Sequence, residues 1–155
     1  MLLTEQQHLV KGLDPVANAF AGTVTSQAVN MKNFGHCTFI VHKGVGTTGT
    51  ATLTVEACSD TSGTGATAVP FRYRATTSGD TPGALTEATA AGFTTTAGSS
   101  QLYVLEVDAS VMGSLGLNYL RLKSTEVVAS AVVGSILAIL SEPRYAQNIF
   151  STAIV

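Results

Sequence analysis

The stretch that decides the fold is GHCTFIVHKGVGTTGTATLTVEAC, residues 35–58. Apolar and polar side chains alternate over residues 37–43 and again over residues 50–58, which is the period-two pattern of half-buried β-strands. Phe39 therefore points to one side of its strand and Ile40 to the other. Gly, Val and Thr fill residues 44–49, so we expect a hairpin with a flexible loop.

Further alternating runs, bounded by Gly, Ser, Thr and Pro, follow along the chain. They lie at residues 23–31, 69–75, 101–107, 119–123 and 132–140. The last run is apolar on both faces, so we expect it to be central or covered. Many short strands separated by turn signals are typical of sandwiches and barrels. The sequence therefore predicts an all-β, single-domain antiparallel β-sandwich or barrel, of the jelly-roll or Ig-like kind.

A chain of 155 residues fits one domain. Residues 1–22 lack β alternation and are predicted as an N-terminal arm, residues 23–141 as the sandwich, and residues 142–155 as a C-terminal tail. The tail ends in apolar side chains, so it either folds back as a strand or docks on a partner. We expect deletion of residues 1–15 or 145–155 to leave the fold intact but to weaken assembly.

Charged residues make up only 12% of the chain, about half the usual ~25%. Because a free monomer is normally kept soluble by a dense mixture of charges, this composition favours a protein that lives in an assembly. Arg72 and Arg74 share a strand face and either form a solvated edge or bridge to a neighbouring subunit. The predicted assembly contacts are Leu2, Leu3, Arg72, Arg74, Ile149, Phe150, Ile154 and Val155.

Two classes of partner are excluded by the same composition. The net charge is −2 and the lysines and arginines are scattered singly, which argues against nucleic acid because phosphate binding needs a basic cluster. The longest apolar stretch, residues 127–140, falls short of the ~20 residues that cross a bilayer. No secretory signal follows Met1, so synthesis in a reducing cytoplasm is expected. Parity places Cys37 inward and Cys58 outward, so two free thiols are predicted.

The sequence offers little for catalysis. His36 and His42 are six residues apart on one strand face, about 20 Å, which is too far to share a metal ion. The side chains of His36 and Cys37 diverge, so they form no dyad. Residues 44–49 match the letters Gly-x-Gly-x-x-Gly but open no helix, so the phosphate-binding dipole is missing.

Four carboxylates, those of Glu56, Glu106, Asp108 and Glu126, are the candidates for an acid–base pair of the glycosidase type. Nothing in the sequence brings two of them together, and a chain without Trp has little surface for stacking on sugars. We therefore predict no catalytic residue, no metal ligand and no cofactor, and expect a protein that is not an enzyme.

The strand-loop-strand at residues 35–57, together with Tyr119-Leu120-Arg121-Leu122-Lys123, resembles the head decoration (cement) and minor capsid structural proteins of tailed bacteriophages. The resemblance implies a sandwich on the surface of the virion head. It also implies that the major capsid protein and copies of the chain itself, in a homotrimer, are the partners. Two alternatives remain open: a tail-tube, tail-terminator or baseplate protein, and a carbohydrate-binding or adhesin module that uses Tyr73 or Tyr119.

Overall fold

The computed structural model of the protein describes residues 2–145 and 149–155; Met1 and residues 146–148, which belong to the two predicted arms, lie outside the described residues. The elements in chain order are α1 (Leu3–Gln6), β1 (His8–Val16), β2 (Thr23–Thr25), β3 (Val29–Asn30), β4 (Phe34–Gly46), β5 (Thr50–Cys58), β6 (Thr67–Val69), β7 (Phe71–Thr76), β8 (Thr86–Ala88), β9 (Phe93–Thr94), β10 (Gln101–Asp108), α2 (Ser110–Gly113), β11 (Tyr119–Val128) and β12 (Val132–Pro143).

The strands form two antiparallel sheets. In sheet A the order is β1-β12-β4-β10-β7-β8, and in sheet B it is β2-β11-β5-β6, with β3 also paired to β11 and β9 to β5. From β4 onward the chain crosses repeatedly from one sheet to the other, which makes the two sheets a single folding unit. The predicted all-β, single-domain antiparallel β-sandwich is confirmed.

The core lies between the two sheets and comes from alternate residues of the central strands. Phe39 of β4 and Leu105 of β10 face it from sheet A, and Leu53 of β5 and Leu122 of β11 face it from sheet B; all four are fully buried. Burying each such side chain contributes about 1.5–3 kcal/mol. The inward parity predicted for Phe39 is therefore correct.

The hairpin predicted from residues 37–43 and 50–58 is wrong, although both strands exist. β4 pairs with β10 and β12 in sheet A, whereas β5 pairs with β6, β9 and β11 in sheet B. The segment between them turns a corner from one sheet to the other. Alternation marks a strand with one buried face, but it does not say which neighbour supplies the hydrogen bonds.

The arm predicted for residues 1–22 is in large part structured. β1 is an edge strand of sheet A, antiparallel to β12, and Val10 is buried in the core. Register shifts between Lys11 and Leu13 and between Leu13 and Val16 interrupt the pairing. Such bulges flip the side-chain parity, which explains why no alternation is visible in the sequence. Deletion of residues 1–15 would therefore remove a strand of the sheet.

The segment between β1 and β2 also packs on the sandwich. The N–H of Ala19 donates to the carbonyl of Val132, at 2.9 Å, and the ring of Phe20 lies against Gly134. A Cβ at position 134 would come within 2.5 Å of that ring, so glycine is needed there for this close approach. Ala19 and Phe20 are buried, so the predicted arm ends as part of the core.

Residues 149–155 of the C-terminal tail fold back on the domain, and no strand is assigned among them. Phe150 packs against Phe34 and His8, with ring centroids 5.4 and 5.7 Å apart. Further along, the buried Ala153 accepts a hydrogen bond from the N–H of Asn30 at 2.7 Å. The sequence left open whether the tail folds back as a strand or docks on a partner. The tail folds back on its own domain, as in the first outcome, but residues 149–155 form no strand. β12 also continues to Pro143, two residues beyond the predicted end of the domain at residue 141.

Two other predicted strands are divided. Residues 23–31 form β2 and β3, both paired with β11. The predicted strand at residues 69–75 is broken at Pro70, where the chain leaves β6 in sheet B and enters β7 in sheet A. Pro70 has no N–H to contribute to a sheet, and it occupies the crossing point between sheets instead of the predicted edge position.

Cys58 was predicted to face solvent, and this is wrong. Both cysteines are free and buried, and the thiol of Cys58 donates to the carbonyl of Asp60 at 3.4 Å. Residues 59–64 fold over this end of sheet B, held by a bond from the N–H of Thr64 to the Asp60 carboxylate at 3.0 Å. A covering loop, which strand parity cannot reveal, is therefore the reason for the burial.

Candidate assembly surface

The outer face of sheet A carries a band of apolar side chains. The register places Lys11, Leu137, Ile40, Val104 and Arg74 side by side across five neighbouring strands, all pointing away from the core. Two residues further along these strands, on the same face, Leu9 lies beside Ile139. We call these five apolar residues the outer band: Leu9, Ile40, Val104, Leu137 and Ile139.

The outer band is partly open to solvent. Leu9 is 45% exposed and Leu137 is 42% exposed, and the other three side chains are partly buried. In a two-sheet sandwich the face turned away from the core normally carries polar side chains. A contiguous apolar patch on such a face is typical of a surface that binds another protein.

Charged side chains border the outer band and are paired within the chain. Arg72 lies 3.4 Å from Glu87, and Arg74 donates to the carbonyl of Gly83 at 2.9 Å. Lys11, at the opposite border, lies 3.9 Å from Asp14. Arg72 and Arg74 thus share one face, as predicted, and flank an apolar surface. The Arg72–Glu87 pair is solvent-exposed, so it contributes at most about 1 kcal/mol to stability.

The apolar residues predicted as contacts at the termini separate into two groups. Leu2, Leu3, Ile149, Ile154 and Val155 are exposed, and Ile149 is the most open of them at 88%. Phe150 is instead packed against the core of its own chain. The exposed five are available to a partner, whereas Phe150 already has one within the fold.

Sequence reasoning did not include the outer band among the contacts. Two signals in the sequence pointed to it: the outward parity of Ile40, and the apolar character of both faces of the run at residues 132–140. What was missing was the strand order, which places β1, β12, β4 and β10 side by side.

Among the described residues, one cavity is lined by His36, Glu106, Asp108 and Glu142, together with Arg72 and Glu87. His36 lies on the outer face of sheet A with its Nδ1 3.1 Å from Asp108 Oδ1. Glu126 accepts a hydrogen bond from the N–H of Gly22 at 2.9 Å. Within residues 2–145 and 149–155, no group of three or more His, Cys, Asp or Glu side chains is arranged to hold a metal ion.

Glu56 forms the shortest ionic contact among the described residues. Its carboxylate lies 2.8 Å from Arg121 and 3.2 Å from Lys123 on the outer face of sheet B. Burial opposes ionisation of the carboxyl, but the hydrogen bonds and charges of these two partners outweigh it and keep the pKa of Glu56 below its ordinary value. A carboxylate held ionised between two cations is suited to stabilising the sheet and not to donating a proton.

The other polar groups with altered ionisation have structural explanations. Burial raises the pKa of the Cys37 thiol and of the Cys58 thiol, so neither forms the thiolate that a nucleophile requires. Burial also lowers the pKa of His8, which stacks on Phe34 at a centroid distance of 6.1 Å.

A groove runs between β1 and the C-terminal tail. Its walls carry Lys11, Gln27, Arg121 and Thr152. Arg121 is bound to Glu56, and the carbonyl of Gly12 on the groove floor already accepts from the N–H of Gln27 at 2.8 Å. Arg121 and the Gly12 carbonyl in this groove are therefore already engaged within the chain.

The two tyrosines considered for sugar binding are engaged within the chain. Tyr73 stacks on Phe93 with ring centroids 3.7 Å apart. The hydroxyl of Tyr119 donates to the carbonyl of Val155 at 3.3 Å and accepts from the amide of Asn30 at 3.2 Å.

In the described residues, no helix has the length and apolar character needed to cross a membrane.

Comparison with known proteins gives likenesses in three dimensions only. No protein-family model matches the chain, and neither does any curated protein sequence. The chain is similar to the SPBc2 prophage-derived protein YomS over 88% of its own length and 93% of that chain, with 12% identity and a TM-score of 0.48. It is also similar to a chain in the structure of infectious bursal disease virus Gx strain, with 14% identity and a TM-score of 0.24, covering 87% of this chain and 40% of that one. Neither likeness tells what this chain binds.

Proposed function

We propose that this chain is a non-enzymatic structural protein of a tailed-bacteriophage particle, which decorates the assembled head by binding the major capsid protein and copies of itself as a trimer. The observation that carries the proposal is the outer band on sheet A. An apolar surface on the solvent side of a sandwich is a liability for a free monomer and an asset in an assembly.

The energetics of the outer band suit binding through repeated contacts. Full burial of one Leu, Ile or Val side chain contributes about 1.5–3 kcal/mol, and less for a side chain that its neighbours already half cover. A protein that binds only the assembled lattice stabilises it by the free energy of binding. Modest contacts repeated by symmetry then sum to high avidity.

The composition supports the same role. With charged residues at 12% of the chain, few hydrated groups must lose water when the surface is covered. The charges that border the outer band are largely paired within the chain, as Arg72 is with Glu87. A partner can therefore cover the apolar centre while these charges stay hydrated at the rim, which is the usual anatomy of a protein interface.

The proposal that the chain is not an enzyme draws on the side chains that chemistry would need. Glu56 is held between two cations, both thiols are buried, and the two tyrosines are packed or bonded within the fold. A nucleophile beside a base, or a carboxyl beside a second carboxyl, is the arrangement that hydrolysis requires. Glu56, the two thiols and the two tyrosines are instead engaged in contacts within the sandwich.

The test is binding to capsids by the wild-type protein and two matched charge variants. Leu137→Lys places a cation in the outer band, and Thr125→Lys places one on the outer face of sheet B, at an exposed position of β11. We expect Leu137→Lys to lose capsid occupancy at least about tenfold, because a charge in a desolvated contact costs more than ~1.4 kcal/mol. Thr125→Lys should bind as the wild type does.

Size-exclusion chromatography with light scattering, run on the protein alone and mixed with capsids, gives both the trimer and the occupancy. A strict monomer that ignores capsids would contradict the proposal. Equal losses for both variants would place the contact elsewhere than the outer band. Rings or tubes of sixfold symmetry in electron micrographs would identify a tail component in place of a head protein.

A further inference from the structure

A buried lysine lies near one end of the sandwich. Lys43 points inward from β4 and is only 2% exposed. Lysine is seldom fully buried without a carboxylate beside it, and no salt bridge joins Lys43 to an acidic side chain in the described residues. Burial lowers the pKa of its ammonium group, so the contacts that compensate for this cost must come from neutral oxygens.

Three neutral oxygens surround the Lys43 ammonium group. It donates to the carbonyl of Gly49 at 2.9 Å, to the carbonyl of Thr96, and to Gln101 Oε1 at 3.4 Å. Three donors therefore meet three acceptors. Gly49 stands immediately before β5, and Thr96 follows β9, so both carbonyls belong to segments that border sheet B. Lys43 itself belongs to sheet A, and its side chain thereby links the two sheets.

The acceptors are themselves held in place by a second set of bonds. The hydroxyl of Tyr103 donates to Gln101 Oε1 at 2.7 Å and accepts from the N–H of Thr96 at 2.8 Å. The amide of Gln101 donates to the carbonyl of Ala97 at 2.9 Å. Lys43, Gln101 and Tyr103 therefore form one connected network, in which each polar group has a partner.

The segment that this network holds is residues 44–49, which we call the tip loop. Gly98 N–H donates to the carbonyl of Thr47 at 2.8 Å, and Ser100 N–H donates to the carbonyl of Gly44 at 2.9 Å. Ser99 Oγ both donates to the carbonyl of Gly46, at 2.6 Å, and accepts from its N–H, at 3.2 Å. The sequence predicted a flexible loop, but hydrogen bonds from residues 98–100 hold it at Gly44, Gly46 and Thr47.

The tip loop carries an apolar side chain outward. Val45 is 74% exposed, and Val133 lies beside the base of the loop, where a Cβ on Gly44 would be 3.5 Å from the Cβ of Val133. The position of Val45 is therefore set by the conformation of the loop and by the bonds beneath it.

We propose that Lys43 is an internal clasp that holds the tip loop in a single conformation and so fixes Val45 at this end of the sandwich. It does so by hydrogen bonds from one side chain to both segments that border sheet B. The role is conformational and is independent of which partner the outer band binds.

The test is amide hydrogen exchange on Lys43→Met, which keeps the length and apolar stem of the side chain and removes its donors. We expect the amides of Gly46, Gly98 and Ser100 to exchange about tenfold faster or more, because two carbonyls and one side-chain oxygen lose their donor. The amide of Asn30, bonded to Ala153 at the opposite end, should exchange as in the wild type. Lys11→Met, at a solvent-exposed lysine, is the matched control and should change none of them.

Unchanged protection at Gly46, Gly98 and Ser100 would overturn the proposal. Equal acceleration of all four amides would also overturn it, since Lys43 would then support only the stability of the whole domain. If Lys43→Met does not fold, the wild-type protein gives the answer by ¹⁵N-resolved spectroscopy of its lysine side chains. The ammonium protons of Lys43 should then exchange with water much more slowly than those of Lys11, and equal rates would refute the clasp.

Discussion

The outer faces of the two sheets are built from different chemistry. On sheet B the carboxylate of Glu56 sits between Arg121 and Lys123, at 2.8 and 3.2 Å. On sheet A the corresponding central positions hold the outer band, with Ile40 and Leu137 side by side on neighbouring strands. Both faces point away from the same core, so the difference does not arise from the packing between the sheets.

The loop at residues 59–64 makes the contrast stronger. Gly63 lies directly against the guanidinium group of Arg121, where an added Cβ would require that flexible side chain to move, and its φ of +83° is a conformation that favours glycine. The loop thus contacts Arg121, one of the two partners of Glu56, on the outer face of sheet B. Sheet B satisfies its outer face within its own chain, whereas sheet A leaves an apolar surface for another molecule to cover.

The largest effect on stability is expected in the core between the two sheets. Phe39→Ala removes a fully buried ring from the core and should lower the free energy of unfolding by about 3–5 kcal/mol. Thr38→Ala, its outward neighbour on β4, should change it by less than about 1 kcal/mol. Urea denaturation of both variants measures the difference. A loss under about 1 kcal/mol for Phe39→Ala would remove the distinction between inner and outer faces on which the comparison depends.

The strands themselves were predictable because their signal is local. The run at residues 50–58 coincides with β5, and the run at residues 101–107 falls one residue short of β10. Alternation over a few residues reports one buried face, and that is all it needs to do to mark a strand. The low charge content likewise reported a surface suited to contact, although it did not say where.

The pairing of the strands was not predictable in the same way. The corner at residues 44–49 looks like a hairpin loop because glycines serve both, and only contacts with residues 98–100 and 132–134 distinguish them. β1 was missed because its bulges scramble the pattern. The outer band was missed for the related reason that a surface across four strands depends on strand order, which is set by contacts far apart in the chain.

A carboxyl-to-amide exchange on each sheet compares their ion pairs. Glu56→Gln removes the negative charge that faces Arg121 and Lys123 and should lower the free energy of unfolding by about 1–3 kcal/mol. Glu87→Gln, which breaks the exposed pair with Arg72, should cost less than about 1 kcal/mol. Thermal and urea denaturation at neutral pH give both values. Equal costs would mean that the ion pairs of sheet B add no more than a surface pair does.

The effect of Glu56→Gln should also depend on pH. The pKa of Glu56 is lower in the folded protein than its ordinary value, so the unfolded chain binds the proton more tightly. The stabilisation by the ionised carboxylate is then fully present above the unfolded pKa of about 4.3 and is lost as the pH falls through the folded pKa. Wild type and Glu56→Gln should therefore converge in stability on acidification, and a gap that stays constant down to pH ~2 would contradict this assignment.

The smallest effect on stability is expected for a substitution in the outer band. Such a substitution is nevertheless the most informative about binding. Ile40 and Val41 are adjacent on β4; Val41→Thr puts a hydroxyl where a methyl group stood, and Ile40→Thr puts one where an ethyl group stood. Val41 is buried in the core, so its variant should lose about 1–3 kcal/mol for an unpaired hydroxyl. Ile40 is half-exposed, so its hydroxyl remains accessible to water and Ile40→Thr should cost less than about 1 kcal/mol.

Binding should invert that order. If the outer band is the contact with the capsid or with a second copy, Ile40→Thr weakens association although the monomer is nearly as stable as the wild type. Val41→Thr should leave association unchanged at temperatures where it is folded, because its side chain never reaches the surface. Denaturation and capsid sedimentation on the same two proteins therefore separate a residue that holds the domain together from one that holds the assembly together. If Val41→Thr lost association while Ile40→Thr kept it, the outer band would not be the contact surface.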